Sequence, residues 1–174
     1  CSSDLLYNLK YILCILNSSV FKFFWNENFS DNKDLFPKIK GYQLQSIPII
    51  EANSSQQLPF VEKANIMLAK NEELQKVQSS FLKLLQSKFE NLQLNKKLND
   101  WHSLTFGAFM KELEKQKIKL SLQEQADWMP FFEAEKEKAA SILATIHTTN
   151  KAIDAMVYAL YNLTEEEIKI VEGV

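Results

Sequence analysis

The 174-residue sequence predicts a mainly α-helical fold: a long antiparallel, coiled-coil-like helical hairpin with a small α+β element at its N-terminal end. Three observations carry this. Apolar residues recur at three- and four-residue steps from Phe60 to Phe89 and again from Phe132 to Leu163. Only three glycines and four prolines interrupt the chain. Aromatic residues, period-two alternation, two prolines and a lone glycine meet in one stretch, "LFPKIKGYQLQSIPII" (Leu35–Ile50). The expected division is 1–57, holding the N-terminal element, and 58–174, holding the hairpin.

The elements follow in order. Leu5, Leu6, Leu9, Ile12, Leu13, Leu16, Val20, Phe23 and Phe24 predict one largely buried helix from Asp4 to about Phe24, loosened at Asn17-Ser18-Ser19. "NENFSDNKD" (Asn26–Asp34) reads as a loop. Phe36, Ile39, Tyr42, Leu44 and Ile47 predict short strands or extended turns, kept to an edge by Pro37 and Pro48, with Gly41 at a positive φ. "EANSSQQ" (Glu51–Gln57) reads as a linker, and Pro59 suits the first turn of the long helix after it. Thr105 can cap a short helix over Phe106–Lys115. Ser121 with Glu124, and Thr164 with Glu167, form capping boxes for the second long helix and for a short helix over Glu165–Glu172. Pro130 belongs near the start of its helix or at a kink.

Composition excludes several functions. No apolar run reaches the roughly 18–20 uncharged residues of a membrane span. Gly41, Gly107 and Gly173 stand alone, so no phosphate-cradling loop can form, and no nucleophile elbow or His-Glu-x-x-His pair is present. Cys1 and Cys14 suggest a reducing, cytoplasmic setting, and His102 and His147 lack companions at metal-ligand spacing. Consecutive glutamates at 165–167 and alternate ones at 133–137 read as solvated surface or first-turn charges rather than an acid–base pair. The chain itself carries no catalytic constellation. A start at Cys1 reads as a cut from a longer protein.

Charge is unevenly distributed. Residues 63–119 hold eleven lysines against six acids, and residues 120–174 hold four lysines against ten acids. Opposite sign in neighbouring segments predicts that they pair with each other. Every basic residue is lysine, so the bidentate arginine–guanine contact cannot be made.

Two segments carry a family resemblance. "YILCILNSSVFKFFW" followed by "FPKIKGYQLQSIPI" resembles the end of a TaqI-like target recognition domain, in which a helix of the type Y-L-L-x-I-L-N-S-x-L-F-x-F leads into F-P-x-I-x-x-x-x-L-x-x-L-P-I. The tail "IDAMVYALYNLTEEEIKIVEG" (Ile153–Gly173) is similar to the endings of these proteins. Such domains occur in adenine-N6 DNA methyltransferases and type IIG restriction–modification enzymes, with relatives in type I specificity subunits. The resemblance implies the C-terminal part of a bacterial, cytoplasmic specificity region. It would position double-stranded DNA for adenine methylation, with or without cleavage, by upstream domains using S-adenosylmethionine and Mg. This chain lacks the family's Asn-Pro-Pro-Tyr type of motif, its four prolines being isolated.

On this reading Phe36, Ile39, Leu44 and Ile47 bury against the first helix, while Lys33, Lys38, Lys40, Tyr42, Gln43 and Gln45 face outward toward DNA. Lysines would contact phosphates and the glutamines could read adenine edges. The alternative is a helical interaction or scaffold module unrelated to DNA, with self-association through the hairpin.

Overall fold

The computed structural model describes residues 7–29 and 40–174. Eight α-helices form among them: α1 Leu9–Leu16, α2 Ser19–Phe29, α3 Gly41–Gln45, α4 Ser54–Lys88, α5 Lys96–Asn99, α6 Phe106–Lys115, α7 Leu122–Leu160 and α8 Glu165–Glu172, with a 3-10 turn at Trp101–Ser103. The expected mainly α fold with two long helices is observed. The chain divides into two compact units, one of residues 1–67 with 148–174, the other of residues 68–147, and α4 and α7 each contribute to both.

The expected helix from Asp4 is divided, and its first residues lie outside those described. Ser18 explains the break. Its buried hydroxyl donates to the Ile15 carbonyl at 2.7 Å and accepts from the Phe21 N–H at 3.2 Å, so one side chain serves the end of α1 and the start of α2. Asp154 of α7 completes the cap, accepting from the Ser19 N–H at 2.7 Å and the Ser19 hydroxyl at 3.1 Å. A carboxylate there also suits the positive end of the α2 dipole. With this support α2 continues to Phe29, through half of the stretch expected to be a loop.

No strand forms among the described residues. Tyr42 and Leu44, expected in an extended segment, lie in α3: the Leu44 N–H bonds to the Lys40 carbonyl at 3.4 Å and the Tyr42 carbonyl accepts from the Ser46 N–H at 3.2 Å, helical bonds in place of a ladder. Both residues are exposed (61% and 51%). Leu44 therefore does not bury against the first helix. Phe36, Pro37 and Ile39 lie outside the described residues. Gly41 has no positive φ; among the described residues the left-handed positions are Lys117, Asn162 and Gly173.

Both long helices begin earlier than their prolines suggest. Asn53 and Gln56 bond reciprocally, the Gln56 N–H reaching Asn53 Oδ1 at 3.0 Å and the Asn53 N–H reaching Gln56 Oε1 at 2.9 Å. This capping box starts α4 within the expected linker and leaves Pro59 in the second turn. Ser121 and Glu124 start α7 as expected, with Pro130 well inside the helix rather than at its beginning. The caps at Thr105 and Thr164 form as expected. α6 and α7 end in paired Schellman bonds. Ile118 N–H reaches the Leu113 carbonyl at 3.1 Å and Leu163 N–H the Tyr158 carbonyl at 3.0 Å, around Lys117 (φ 64°) and Asn162 (φ 52°).

The unit of residues 68–147 is built on Phe81, Leu85, Leu98, Trp101, Phe109, Leu113 and Phe132, all buried. Within it α4 and α7 run antiparallel: Phe81 meets Phe132 at a ring separation of 5.9 Å, and Phe89 meets Trp128 at 6.0 Å. The Trp101 ring lies wholly buried and stacks on Phe81 at 3.9 Å. His102 beside it approaches Asp100 at 3.0 Å and Gln78 at 2.8 Å. These contacts give both residues a structural role.

Glu112 is a buried acid in this unit (5% exposed). Its carboxylate accepts from Lys115 at 2.7 Å and from Asn95 at 3.1 Å, with Lys97 at 3.5 Å. The bonded Lys115 ammonium holds the Glu112 carboxyl below its usual value of 4.5; burial opposes this, and Asn95 and Lys97 reinforce it. A carboxyl whose folded-state pKa is depressed adds stability that is complete above about 4.5 and lost as pH falls through the lower folded value. We expect the melting temperature of wild type to fall more steeply below pH 4.5 than that of Glu112→Gln; parallel profiles in calorimetry would remove Glu112 from the acid response.

The two segments pack against each other through Phe81–Phe132 and Phe89–Trp128, but no ion pair joins them among the described residues. Every ion pair among the described residues lies within one segment: Lys70–Glu73, Lys76–Glu72, Lys97–Glu112 and Lys115–Glu112 in the basic one, Lys138–Glu135 in the acidic one. Most join residues three or four apart, where helix geometry already makes side chains neighbours.

Candidate nucleic-acid interface

The unit of residues 1–67 and 148–174 packs α1 onto the first turns of α4 and the last turns of α7, through Tyr11, Cys14, Ile15, Phe60, Ala64, Ile153 and Val157. Burial pushes the Cys14 thiol up to about 11, and its sulfur lies 3.3 Å from the Phe60 carbonyl, so Cys14 is a core residue rather than a nucleophile.

The stretch that follows α3 is held by two tyrosines. Tyr11 donates its hydroxyl to the Ile50 carbonyl at 2.8 Å, and Tyr161, at the end of α7, donates to the Pro48 carbonyl at 2.5 Å. Burial first, then the neighbouring Tyr161 and Tyr7, pushes the Tyr11 hydroxyl up to about 12. Burial likewise raises Tyr161. Both therefore remain neutral donors over the physiological range. Gln57 adds a third tie, accepting from the Asn8 N–H at 2.7 Å and donating to the Ala52 carbonyl at 2.7 Å. Residues 47–52 are thus fastened to α1 and α7 through their own backbone, which leaves α3 presented on a fixed base.

The structure treats the six expected contact residues differently. Lys40 and Tyr42 are exposed and adjacent, the Lys40 ammonium lying 5.9 Å from the centre of the Tyr42 ring. Gln45 is exposed on the same short helix. Gln43 does not face outward: it is buried, and its Oε1 accepts from the Lys40 N–H at 2.7 Å, which caps α3. A glutamine three residues after an N-cap is a local signal of this bond. Lys33 and Lys38 lie outside the described residues.

Beside this base, an apolar groove of about 420 Å³ runs between Phe21 and Phe24 of α2, Ile47–Pro48, and Ile170 and Val171 of α8. Ile47 is half-buried at its edge and, of the described residues expected to bury against the first helix, is the one that contributes apolar surface there. The anchoring roles of Tyr11 and Tyr161 have no counterpart in the sequence reading. Their partners are backbone carbonyls 39 and 113 positions away, which leave no local signature.

Two family models match the chain. One, described as a TaqI-like C-terminal specificity domain, matches residues 1–49. The other, described as Domain of unknown function (DUF8810), matches residues 53–157. No curated protein and no solved structure matches it. Among the described residues no helix is long and apolar enough to cross a membrane.

Proposed function

Because the chain belongs to the family described as Domain of unknown function (DUF8810), with a TaqI-like specificity segment joined directly before that domain, we propose that it is a DNA-specificity module of a restriction–modification enzyme. In this reading it holds double-stranded DNA in place for adenine methylation, and for cleavage where the enzyme cleaves, by catalytic domains elsewhere in the enzyme. The match over residues 1–49 carries the proposal. The anchoring of residues 47–52 supports it, because a recognition surface needs a rigid base if its contacts are to discriminate.

The contact face consists of Lys40, Tyr42 and Gln45 on and beside α3, with Lys33 and Lys38 from the preceding segment. Lys40 supplies a phosphate contact and Tyr42 a flat apolar surface, while Gln45 is free to bond a base edge. Gln43 supports this face from beneath by capping the helix that carries it. S-adenosylmethionine and Mg serve the catalytic domains. No three His, Cys, Asp or Glu side chains converge among the described residues, so no step is assigned to either group here.

In the intact enzyme, Lys40→Glu with Tyr42→Ala should weaken duplex binding and lower the slope of log affinity against log salt by about one, with the melting temperature unchanged. Unaltered affinity at low salt would remove these residues from the face. An enzyme that retains every member of a randomised duplex pool equally would overturn the specificity reading and leave the helical scaffold in its place.

A further inference from the structure

We propose that α5, α6 and the turn after α6 form a second DNA-contacting surface, a rigid lysine cluster that grips the phosphate backbone without reading sequence. The inference rests on the specificity reading above and adds a contact outside the segment that carries it.

The cluster is built around Glu112. This buried carboxylate, on α6, binds Lys115 of its own helix, and Asn95 and Lys97 from α5 and its cap, so the two short helices are locked together. Gln93 and Gln116 form a second lock: the Gln93 N–H donates to Gln116 Oε1 at 2.8 Å, and Gln116 Nε2 donates to the Gln93 carbonyl at 2.9 Å. Beneath them Leu98, Phe109 and Leu113 are fully buried. On this frame sit Lys96, Lys97, Lys111, Lys115, Lys117 and Lys119, all exposed. Residues 96–119 contain only three acids, Asp100, Glu112 and Glu114.

Four of those lysines, Lys96, Lys111, Lys117 and Lys119, make no ion pair among the described residues. The acidic start of α7 forms no ion pair with these lysines; its ion pair among the described residues is Glu135–Lys138, within its own helix. Lys117 occupies the left-handed position that closes α6, a conformation glycine adopts more readily than lysine. Lysine is a point charge without arginine's planar fork, which suits phosphates approached in any orientation and does not suit a chosen base. A held group of uncompensated lysines on a protein that handles DNA matches a sequence-independent backbone contact.

The test uses the 174-residue chain and a random-sequence duplex, followed by fluorescence anisotropy from 50 to 300 mM salt. Lys96→Ala/Lys111→Ala/Lys119→Ala leaves both locks and Lys117 in place. It should reduce affinity at 50 mM salt at least about tenfold and the salt slope by about three, one for each phosphate no longer neutralised. The melting temperature should not change, and the corresponding triple arginine variant should restore binding. Equal binding by wild type and the alanine variant would overturn the inference. It would leave the specificity reading standing if Lys40→Glu/Tyr42→Ala still weakens the intact enzyme. Displacement of the duplex by polyglutamate at matched charge concentration would also overturn it, in favour of an acidic protein partner.

Discussion

Phe132→Ala should lower the stability of the unit of residues 68–147 by about 3–5 kcal/mol, as expected for removing a buried aromatic ring from a closed core. Phe132 is 0% exposed. It lies 5.0 Å from the Phe109 ring, 5.6 Å from Phe106, 5.8 Å from Trp101 and 5.9 Å from Phe81, so its removal takes a shared neighbour from three other elements. The rings around it are themselves packed on one another, Phe81 on Trp101 and on Phe109, which prevents them from closing the space. Urea denaturation followed by tryptophan fluorescence reports this directly, since Trp101 and Trp128 both lie in this core or against it. Phe132→Leu, which refills most of the volume, should cost under about 1.5 kcal/mol. A loss below about 1 kcal/mol for the alanine variant, well under the usual range for a buried ring, would show that α7 is not packed here as described.

Tyr11→Ala should be about as damaging to the other unit, at roughly 3–5 kcal/mol. The Tyr11 ring, 0% exposed, meets Phe60 edge-on at 5.2 Å, and its hydroxyl holds the Ile50 carbonyl. Tyr11→Phe separates the two contributions. It keeps the ring and removes only the hydrogen bond, for about 1 kcal/mol. Hydrogen exchange read by mass spectrometry should show weakened protection in α1, α2 and residues 54–67, with residues 68–147 protected as in wild type. Protection weakened evenly along the chain would mean that Tyr11 is not specific to its unit.

These two cores also mark the limits of what the sequence makes legible. Local signals are readable. Thr105, Ser121 and Thr164 each start a helix where the capping pattern places it, and the apolar spacing identifies both long helices. The Asn53–Gln56 box is equally local, but the polar composition of "EANSSQQ" points to a linker instead. The stretch around Gly41 misleads because alternation over three residues fits an edge strand and a single helical turn alike. Gln43 passes for a solvent-facing amide, although its spacing from Lys40 already permits a cap. Contacts between distant residues are not readable at all: the Trp101–Phe81 stack, the Tyr161–Pro48 bond and the Asp154–Ser19 cap join positions with no shared pattern. Of the proposed DNA face, the exposure of Lys40, Tyr42 and Gln45 is legible, and the scaffold that fixes them is not.

The interleaving of the two units bears on the order in which the protein matures during synthesis. Residues 68–147 are contiguous and can collapse as soon as they leave the ribosome, whereas the first 67 residues share their core with residues 148–174. At roughly 5–20 residues per second, the intervening 80 residues delay the arrival of Ile153 and Val157 by about 4–16 s. Throughout that interval Tyr11 and Phe60 lack their late-arriving neighbours, so the nascent chain presents greasy surface first and matures from its middle outward.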